Sequence, residues 1–433
     1  MKRSIVIITA FVSALILVFS AAHASDAPEK NEDRKTHTHG GSDEACKGDC
    51  TKYSFKFSGY FKADLAYDND RISPGNYAIL VNPGNNDAMN ITARETRLGL
   101  DFKWKEEDFV TDARLEFDFY GLGAKPSSFN SMENKAAPML RHAYLKVTRG
   151  HWSILAGQTS DVISPLVPKT VNYTVAWGQG NIGYRRPQFR ISAWMGFGDG
   201  AKVTCTVAAT RNLGSNLDDN ISNTIDDGAD SAIPAVQGRL GLKMKFGEGG
   251  TAAVGVSGHF GVEEYYDKTL TDENVPVGEA ENESWSLNAD AAITLNEYVA
   301  LSGEFFTGQK LGTYFGGVLQ NVNPSTLEEI GAMGGWGMVH LKPYKRIGLN
   351  IGYAFDNPDK EDFEVAEGAM IDFIDKNDVV MGNIMYNLTG TVTAMLEVSY
   401  LRTVYALMEG AEIIAEEELD ALRVQFAMKA AIK

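Results

Sequence analysis

The sequence is poor in several features that common protein classes require. It has three cysteines in 433 residues, too few for a disulfide-rich scaffold. Its 40 basic residues are outnumbered by 57 acidic ones, and a net charge of −17 argues against a nucleic-acid binder, because neutralising phosphates requires a basic surface. After residue 24 no apolar run reaches the ~20 residues of a membrane helix. With 44% hydrophobic residues the chain is too apolar to be disordered.

The first 24 residues have the pattern of a secretory signal peptide. Lys2 and Arg3 precede an uncharged apolar stretch, and Ala22-His23-Ala24 is a small-x-small cleavage site. An uncleaved membrane anchor is the alternative, which the short length of the stretch disfavours. We therefore expect residues 1–24 to direct export.

Residues 25–52 are polar, show no periodicity, and are predicted to form a flexible periplasmic tether. They contain His37 and His39, one residue apart, and Cys46 and Cys50, four positions apart. In an exported protein the two cysteines could close a small disulfide loop, the four residues could bind a metal, or the segment has no specific role. The spacing does not decide among these alternatives.

From residue 53 to 433 the sequence alternates between apolar and polar residues with a period of two, which predicts β-strands. In Thr111–Tyr120, for example, Leu115 and Phe117 lie on one face and Arg114 and Glu116 on the other. Sixteen runs of this kind are candidate strands, at 53–67, 90–104, 111–120, 138–147, 151–158, 185–195, 201–210, 234–246, 251–260, 284–295, 298–307, 329–341, 346–355, 377–387, 391–404 and 418–432.

Short and long connections alternate between these strands. Turns such as Thr148-Arg149-Gly150 follow every second strand, and the other connections run to a dozen residues or more. A membrane β-barrel with short periplasmic turns and long extracellular loops has this arrangement. A soluble β-sandwich also alternates, but its strands are usually shorter, ~5–6 residues. We predict an all-β fold, a sixteen-stranded antiparallel transmembrane barrel whose apolar face contacts lipid.

Four short motifs resemble those of the general porins of Gram-negative bacteria, and most nearly those of the DcaP-like trimeric outer-membrane porins. They are Arg141–Leu145, Gly157–Thr159, Arg186–Arg190 and Gly334–Gly337. The resemblance covers most of 53–433 and implies a homotrimer in the outer membrane that admits small, often anionic solutes. Two features depart from it: residues 25–52 lack the heptad-patterned segment of DcaP-like proteins, and the chain ends on Ala431-Ile432-Lys433 instead of an aromatic residue.

Arginines are concentrated in the first half of the predicted barrel, including Arg185, and several fall on the polar faces of strands. Their permanently charged guanidinium groups could hold carboxylate or phosphate oxygens transiently. Opposed acids, among them Glu95, Asp101 and Glu304, could create a transverse field, although all these charges could also simply pair and fill the interior. The residues expected to line the pore are Arg94, Arg97, Arg114, Glu116, Asp118, Arg141, Arg186, Gln188, Arg190, Arg239 and Glu304.

The third long connection, 160–183, is the candidate for a constriction loop that folds into the pore, with a plain external loop as the alternative. Asp161, Lys169, Tyr173 and Trp177 are its candidate residues. Acidic runs in other connections, such as Asp359–Glu364, could bind Ca²⁺ or Mg²⁺ weakly beside lipopolysaccharide. No further metal or cofactor is expected.

The motifs favour a channel over an enzyme. Gly178–Gly183 matches G-x-G-x-x-G by letter, but Pro187 follows soon afterwards, where a dinucleotide site needs a helix. A hydrolase in a barrel needs a Ser/His pair, and sequence does not exclude His142 or His340 from that role, but both are better interpreted as ordinary strand residues. We predict a porin for passive diffusion of small polar solutes, with a surface-binding adhesin or receptor as the alternative.

Overall fold

The computed structural model describes residues 52–73, 77–84, 86–121, 136–198, 200–214, 227–266 and 279–432. The predicted signal peptide lies outside these residues, as does the tether apart from Lys52.

The described chain forms one large antiparallel sheet that closes on itself. Its strands, in order and including one small hairpin, are β1 (Lys52–Asp68), β2 (Ile72–Ser73), β3 (Leu80–Val81), β4 (Ala88–Thr92), β5 (Arg97–Glu106), β6 (Phe109–Gly121), β7 (Ala137–Arg149), β8 (Trp152–Ser160), β9 (Arg185–Phe197), β10 (Ala201–Thr210), β11 (Ala235–Phe246), β12 (Gly250–Tyr266), β13 (Glu279–Thr294), β14 (Val299–Gln309), β15 (Gly331–Tyr344), β16 (Ile347–Pro358), β17 (Met370–Asn387), β18 (Val392–Glu409) and β19 (Glu412–Ala431).

Each barrel strand pairs with its neighbours in the chain, and β1 pairs with β19 from Tyr60 opposite Ala431 to Asp68 opposite Arg423. β4 and β5 both pair with β1, so they are two halves of one barrel strand, interrupted at 93–96. With β2 and β3 forming a separate hairpin, the barrel has sixteen strands, which confirms the predicted fold.

The two faces of the wall have opposite polarity. On β1, Phe57 and Phe61 point outward and remain 62% and 59% exposed, whereas the inward-facing Lys62 and Asp64 are only 4% and 5% exposed. A soluble protein would bury such phenylalanines and expose the charges. The apolar rows therefore form the outside of the barrel, where a membrane barrel meets lipid.

Elements other than strands are few and short. The described residues contain a helix at Asp227–Asp230 and 3₁₀ turns at Gly312–Tyr314, Gly317–Leu319 and Glu361–Phe363. In the part of the chain that the structure describes, no helix is both long and apolar enough to cross a membrane.

Several strands are longer than their alternation predicts, and three of them by the most. β12 continues to Tyr266, β17 begins at Met370 and β19 at Glu412, each six or seven residues beyond the predicted bound. The extension of β19 carries Glu416 and Glu417 in succession. The β19 extension is largely exposed to water, so no alternation marks it, whereas the β17 extension buries Ile371 and Phe373 in a cluster with Ile330 and Phe363.

Three long connections fold into the barrel. We name them L1 (69–87), L3 (161–184) and L6 (310–330). L3 and L6 share a buried apolar cluster with the wall, formed by Ile163, Ile182, Phe306, Leu311 and Tyr314. Close packing of this cluster, at roughly 1.5–3 kcal/mol for each large side chain removed from water, holds both loops inside.

Candidate functional site: a narrowed passage beside the inward loops

L3 is held against one side of the inner wall by hydrogen bonds to wall side chains. Glu304 on β14 accepts from Leu166 N at 2.7 Å, and Glu397 on β18 accepts from Val171 N at 2.7 Å. Asn377 on β17 donates to Gly178 O at 2.7 Å. L3 therefore lies along β14–β18, and a cavity remains between part of L3 and the β5–β9 wall.

A buried ion pair fixes the start of L3. Asp161 lies 2.9 Å from Nε of Arg186, whose side chain is 0% exposed. Arg186 also donates to Thr313 O in L6 and lies over the ring of Tyr314 at 3.8 Å. Gln237 donates to Asp161 at 2.8 Å. This cluster joins the wall, L3 and L6.

L1 and L6 brace the far end of L3. The rings of Trp177 and Phe315 stack at 4.5 Å, and Gly183 N donates to Tyr314 O at 2.7 Å. From the other side, Gln179 donates to Ile79 O at 3.0 Å. The loop is thus fixed by two other loops as well as by the wall.

The inward loops hold strained backbone. Ser164, Val175 and Ala176 in L3 have positive φ, as do five non-glycine residues of L6. Left-handed conformations at such residues cost of order 1–3 kcal/mol each. They persist because the surrounding hydrogen bonds fix the loops, so the shape of the lumen is built into the fold.

Gly180 provides a test of this bracing. Its φ is +119°, and a Cβ there would lie 2.5 Å from Phe355 O and closer still to Gly335 O. We expect Gly180→Ala to push L3 off the β15–β16 wall and to lower the unfolding temperature. Gly368→Ala is the control, since its φ of +79° is also positive but no atom lies within 4 Å of its Cβ. Equal melting by circular dichroism for the two variants would contradict the close fit.

Between L3 and the β5–β9 wall lies a narrow cavity of about 400 Å³. The wall side presents Arg97, Arg141 and Arg185, and the loop side presents Asn172 and Trp177. We call this cavity the passage. It is large enough for water and small solutes. Its arginines lie on the wall side, where Glu95 also lines it, and Asp161 lines it from L3.

Guanidinium groups and carboxylates alternate across the wall of the passage. Arg141 binds Asp118 at 2.5 Å and Glu116 at 3.1 Å. Glu116 also binds Arg114 and lies 3.5 Å from Arg97, while Arg114 lies 3.3 Å from Asp101. Three carboxylates are therefore shared by three arginines, and their charges cancel.

Arg185 adds a positive charge to this wall that none of the three carboxylates pairs with. Its side chain is 7% exposed, and its Nε and Nη2 have no hydrogen-bond partner. It contacts aromatic faces instead, lying 4.4 Å from the ring of Tyr184 and 5.8 Å from that of Trp177. Buried N–H groups are normally satisfied, so these unpaired donors distinguish Arg185 from the paired arginines of the same wall.

Tyr173 connects L3 to the charged wall. Its hydroxyl donates to Asp118 at 3.1 Å, and its ring stacks on Tyr120 at 3.7 Å. Burial raises the pKa of this hydroxyl, and the nearby Asp118 raises it further, so Tyr173 remains a neutral donor. The loop therefore adds no charge to the passage at this point.

A second cavity, of about 760 Å³, opens at the short-turn end of the barrel, and we call it the vestibule. Lys62, Lys169, Lys342, Lys345 and Lys429 line it. Lys62 binds Glu95 and Asp64, whereas Lys429 lies 3.8 Å from the ring of Tyr60. The vestibule is thus also rich in positive charge.

The predicted site residues divide into three groups. Arg97, Arg141, Asp161, Tyr173 and Trp177 line the passage, and ion pairs join Arg114, Glu116 and Asp118 to its arginines. Lys169 lies in the vestibule. The others pair elsewhere on the inner wall or under the loops: Arg94 with Phe119 O, Arg186 with Asp161, Gln188 and Arg190 with each other, Arg239 with Asp290, and Glu304 with Trp336.

Two expectations need correction. Arg186 faces inward but does not line open space, because L3 and L6 cover it completely. The acids do not oppose the arginines across the pore either. Asp101, Glu116 and Asp118 lie on the same wall as the arginines, and Glu304 is covered by L3.

Arg185 is the main residue missing from the sequence-based candidates for pore lining. Strict alternation puts it on the lipid face, opposite Arg186. The signal that could have found it is its position at the beginning of β9, where the strict alternation of the strand no longer has to hold and an arginine can turn away from lipid.

The fold matches solved structures of outer-membrane channels. The chain is similar to the outer-membrane channel DcaP of Acinetobacter baumannii, with a TM-score of 0.63, 17% identity, and coverage of 88% of this chain and 97% of that one. It is also similar to an anion-selective porin from Comamonas acidovorans (TM-score 0.50, 12% identity, 88% and 100% covered) and to a trimer form of OmpT, an outer-membrane protein of Vibrio cholerae (0.51, 10%, 88% and 99%).

At these identities the similarity establishes the porin-like barrel fold. No family model and no curated protein matches the sequence. Within the described ranges, no group of three or more His, Cys, Asp or Glu side chains is arranged to hold a metal ion.

Proposed function

We propose that this porin-like barrel is a channel in the outer membrane of a Gram-negative bacterium, through which small polar solutes diffuse passively. The passage supports this proposal, because L3 narrows the lumen and leaves a space of about 400 Å³ beside the wall. A barrel of sixteen strands is wide enough to keep an aqueous channel around such a loop. Diffusion needs no nucleophile or cofactor.

Anions, carboxylates in particular, are the proposed preferred solutes. The observation that carries this is the unpaired guanidinium of Arg185 in the passage. A solute that crosses the passage next meets the lysine-rich vestibule, so positive charge accompanies it through both cavities. Arginine is suited to brief carboxylate binding because its planar group presents several donors at once.

Recording in planar lipid bilayers tests the channel. We expect large stepwise conductance from the full-length purified protein, and a reversal potential in asymmetric KCl that shows chloride preference. A protein that folds, as judged by heat-modifiable migration, but gives no conductance would overturn the channel and favour the alternative of a surface-binding adhesin or receptor.

We propose that the protein is a homotrimer beside lipopolysaccharide. The similar OmpT of Vibrio cholerae has been solved in a trimer form, and the outer face of β1, with Tyr53, Phe55 and Phe57, is a broad aromatic surface. The same recordings examine this: a trimer closes in three equal steps, and single closures to zero current would indicate a monomer.

Weak cation bridging by the acidic connections remains a proposal. Asp359, Glu361 and Asp362 occur close together in sequence between β16 and β17; they form no preset metal site, so the proposed bridging is a loose attraction of Ca²⁺ or Mg²⁺ by their negative charge. We expect excess Ca²⁺ to raise the melting temperature relative to chelator. Equal melting in the two conditions, followed by circular dichroism, would count against bridging.

A further inference from the structure

A chain of five polar side chains crosses the inner wall above the vestibule, one from each of five neighbouring strands. Ser302 Oγ lies 2.7 Å from His340 Nε2, and His340 Nδ1 lies 2.7 Å from Asn350 Oδ1. Asn350 then donates to Asn383 at 2.7 Å, and Asn383 to Glu397 at 2.9 Å. Every link is a short hydrogen bond.

The direction of these hydrogen bonds is fixed by the L3 backbone. The amide nitrogen of Asn383 donates to Lys169 O at 2.7 Å, and a carbonyl can only accept. The Asn383 oxygen therefore faces Asn350, whose own oxygen must face His340. It follows that His340 carries its proton on Nδ1, so Nε2 is free to accept the hydroxyl proton of Ser302.

This arrangement distinguishes His340 from the other two histidines that contact a hydroxyl. His259 lies 2.7 Å from Ser286, but its Nε2 is buried without a partner. His142 lies 3.0 Å from Thr159, and its other nitrogen is 3.9 Å from Glu116. Within the described chain, only His340 joins a hydroxyl on one nitrogen to an oriented amide oxygen on the other.

We propose that Ser302 and His340 form an acyl-transfer site that hydrolyses small carboxylic esters entering from the vestibule. His340 and Asn350 line the vestibule, and Ser302, in contact with His340, is partly exposed. Lys169 and Lys342 line the same cavity, which favours esters that carry an anionic group. This activity goes beyond the proposed channel and departs from the expectation that the protein is not an enzyme.

The hydrogen bonds define how the ester would be hydrolysed through an acyl-serine. Ser302 Oγ attacks the ester carbonyl carbon while its proton passes to Nε2 of His340. Collapse of the tetrahedral intermediate breaks the bond to the alkoxide, which takes that proton and leaves as the alcohol. Water then attacks the acyl-serine, again through His340, and releases the carboxylic acid and free Ser302. Asn350 and Asn383 are positioning residues, since they orient the imidazole.

The test uses the full-length protein in detergent and two probes. A fluorophosphonate reacts with an activated serine with loss of fluoride, and peptide mass spectrometry locates the adduct. The half-ester 4-nitrophenyl succinate reports hydrolysis by release of nitrophenolate. We expect the adduct on Ser302, and we expect His340→Gln to slow labelling by about 100-fold, the typical contribution of a general base.

Ser286→Ala is the matched control, because it removes the hydroxyl of the buried His259 pair and should leave labelling unchanged. Ser302→Ala should abolish both the adduct and the hydrolysis while bilayer conductance stays at the wild-type level, which shows that the variant is folded. Channel-active protein that remains unlabelled would overturn the site. So would labelling that persists in Ser302→Ala or at the wild-type rate in His340→Gln. Conductance is read separately, so the porin proposal stands or fails independently.

Discussion

Replacing Arg185 by alanine is expected to remove most of the anion preference that we propose for the channel. Arg185 is the one guanidinium of the passage wall whose charge no carboxylate cancels. Two unit charges 4 Å apart attract by about 1 kcal/mol in water and about 4 kcal/mol at the dielectric typical of a protein surface. Since 1.4 kcal/mol is tenfold in a binding constant, we expect the chloride-to-potassium permeability ratio to fall at least about fivefold.

Reversal potentials across a tenfold KCl gradient measure this ratio, and two variants make the comparison specific. Arg185→Lys keeps the charge and should keep most of the preference. Arg149→Ala also removes one positive charge, but from an exposed site at a short turn, 3.8 Å from Asp108, and should leave the ratio unchanged. If Arg185→Ala retains the wild-type ratio, selectivity resides elsewhere, and the lysines of the vestibule become the next residues to vary.

The barrel could be predicted from the sequence because its determinants are local. Lipid on one side and water on the other impose a period of two on every strand. The strand's own sequence therefore shows that Phe57 and Phe61 face outward and Lys62 inward, without knowledge of the neighbouring strands. The prediction of strand bounds becomes less accurate where a strand leaves the lipid. The β19 segment that contains Glu416 and Glu417 is a strand in the structure, but with water on both sides it carries no alternation.

The passage could be predicted only in part, because it depends on contacts between distant residues. The position of L3 after β8, the fifth barrel strand, predicts a constriction loop, but nothing in the sequence marks L1 and L6 as inward loops. Phe315 meets Trp177 across 138 positions of the chain, and Thr403 accepts from Val81 N across 322. The chain of five polar side chains from Ser302 to Glu397 could not be predicted from the sequence either, because it joins five strands and is oriented by Lys169 O.

Arg186 links the stability of the barrel to the width of its passage, and replacing it with leucine should affect both. The variant leaves Asp161 buried without its ion pair, and breaking a buried pair by removing one partner typically costs about 3–5 kcal/mol. It also removes the contact with L6 through Thr313 and Tyr314. We expect a lower free energy of unfolding in urea, followed by tryptophan fluorescence, and larger and noisier single-channel conductance as L3 loosens.

Two further variants separate the lost charge pair from a general loss of wall packing. Arg186→Leu combined with Asp161→Asn should regain part of the stability, because no unpaired carboxylate remains and Gln237 can still bond the amide. Arg239→Leu also breaks an ion pair, 2.6 Å from Asp290, but one that touches neither loop, so its conductance should stay at the wild-type level. If Arg186→Leu also keeps wild-type conductance and stability, the wall bonds from Glu304, Glu397 and Asn377 alone suffice to hold L3.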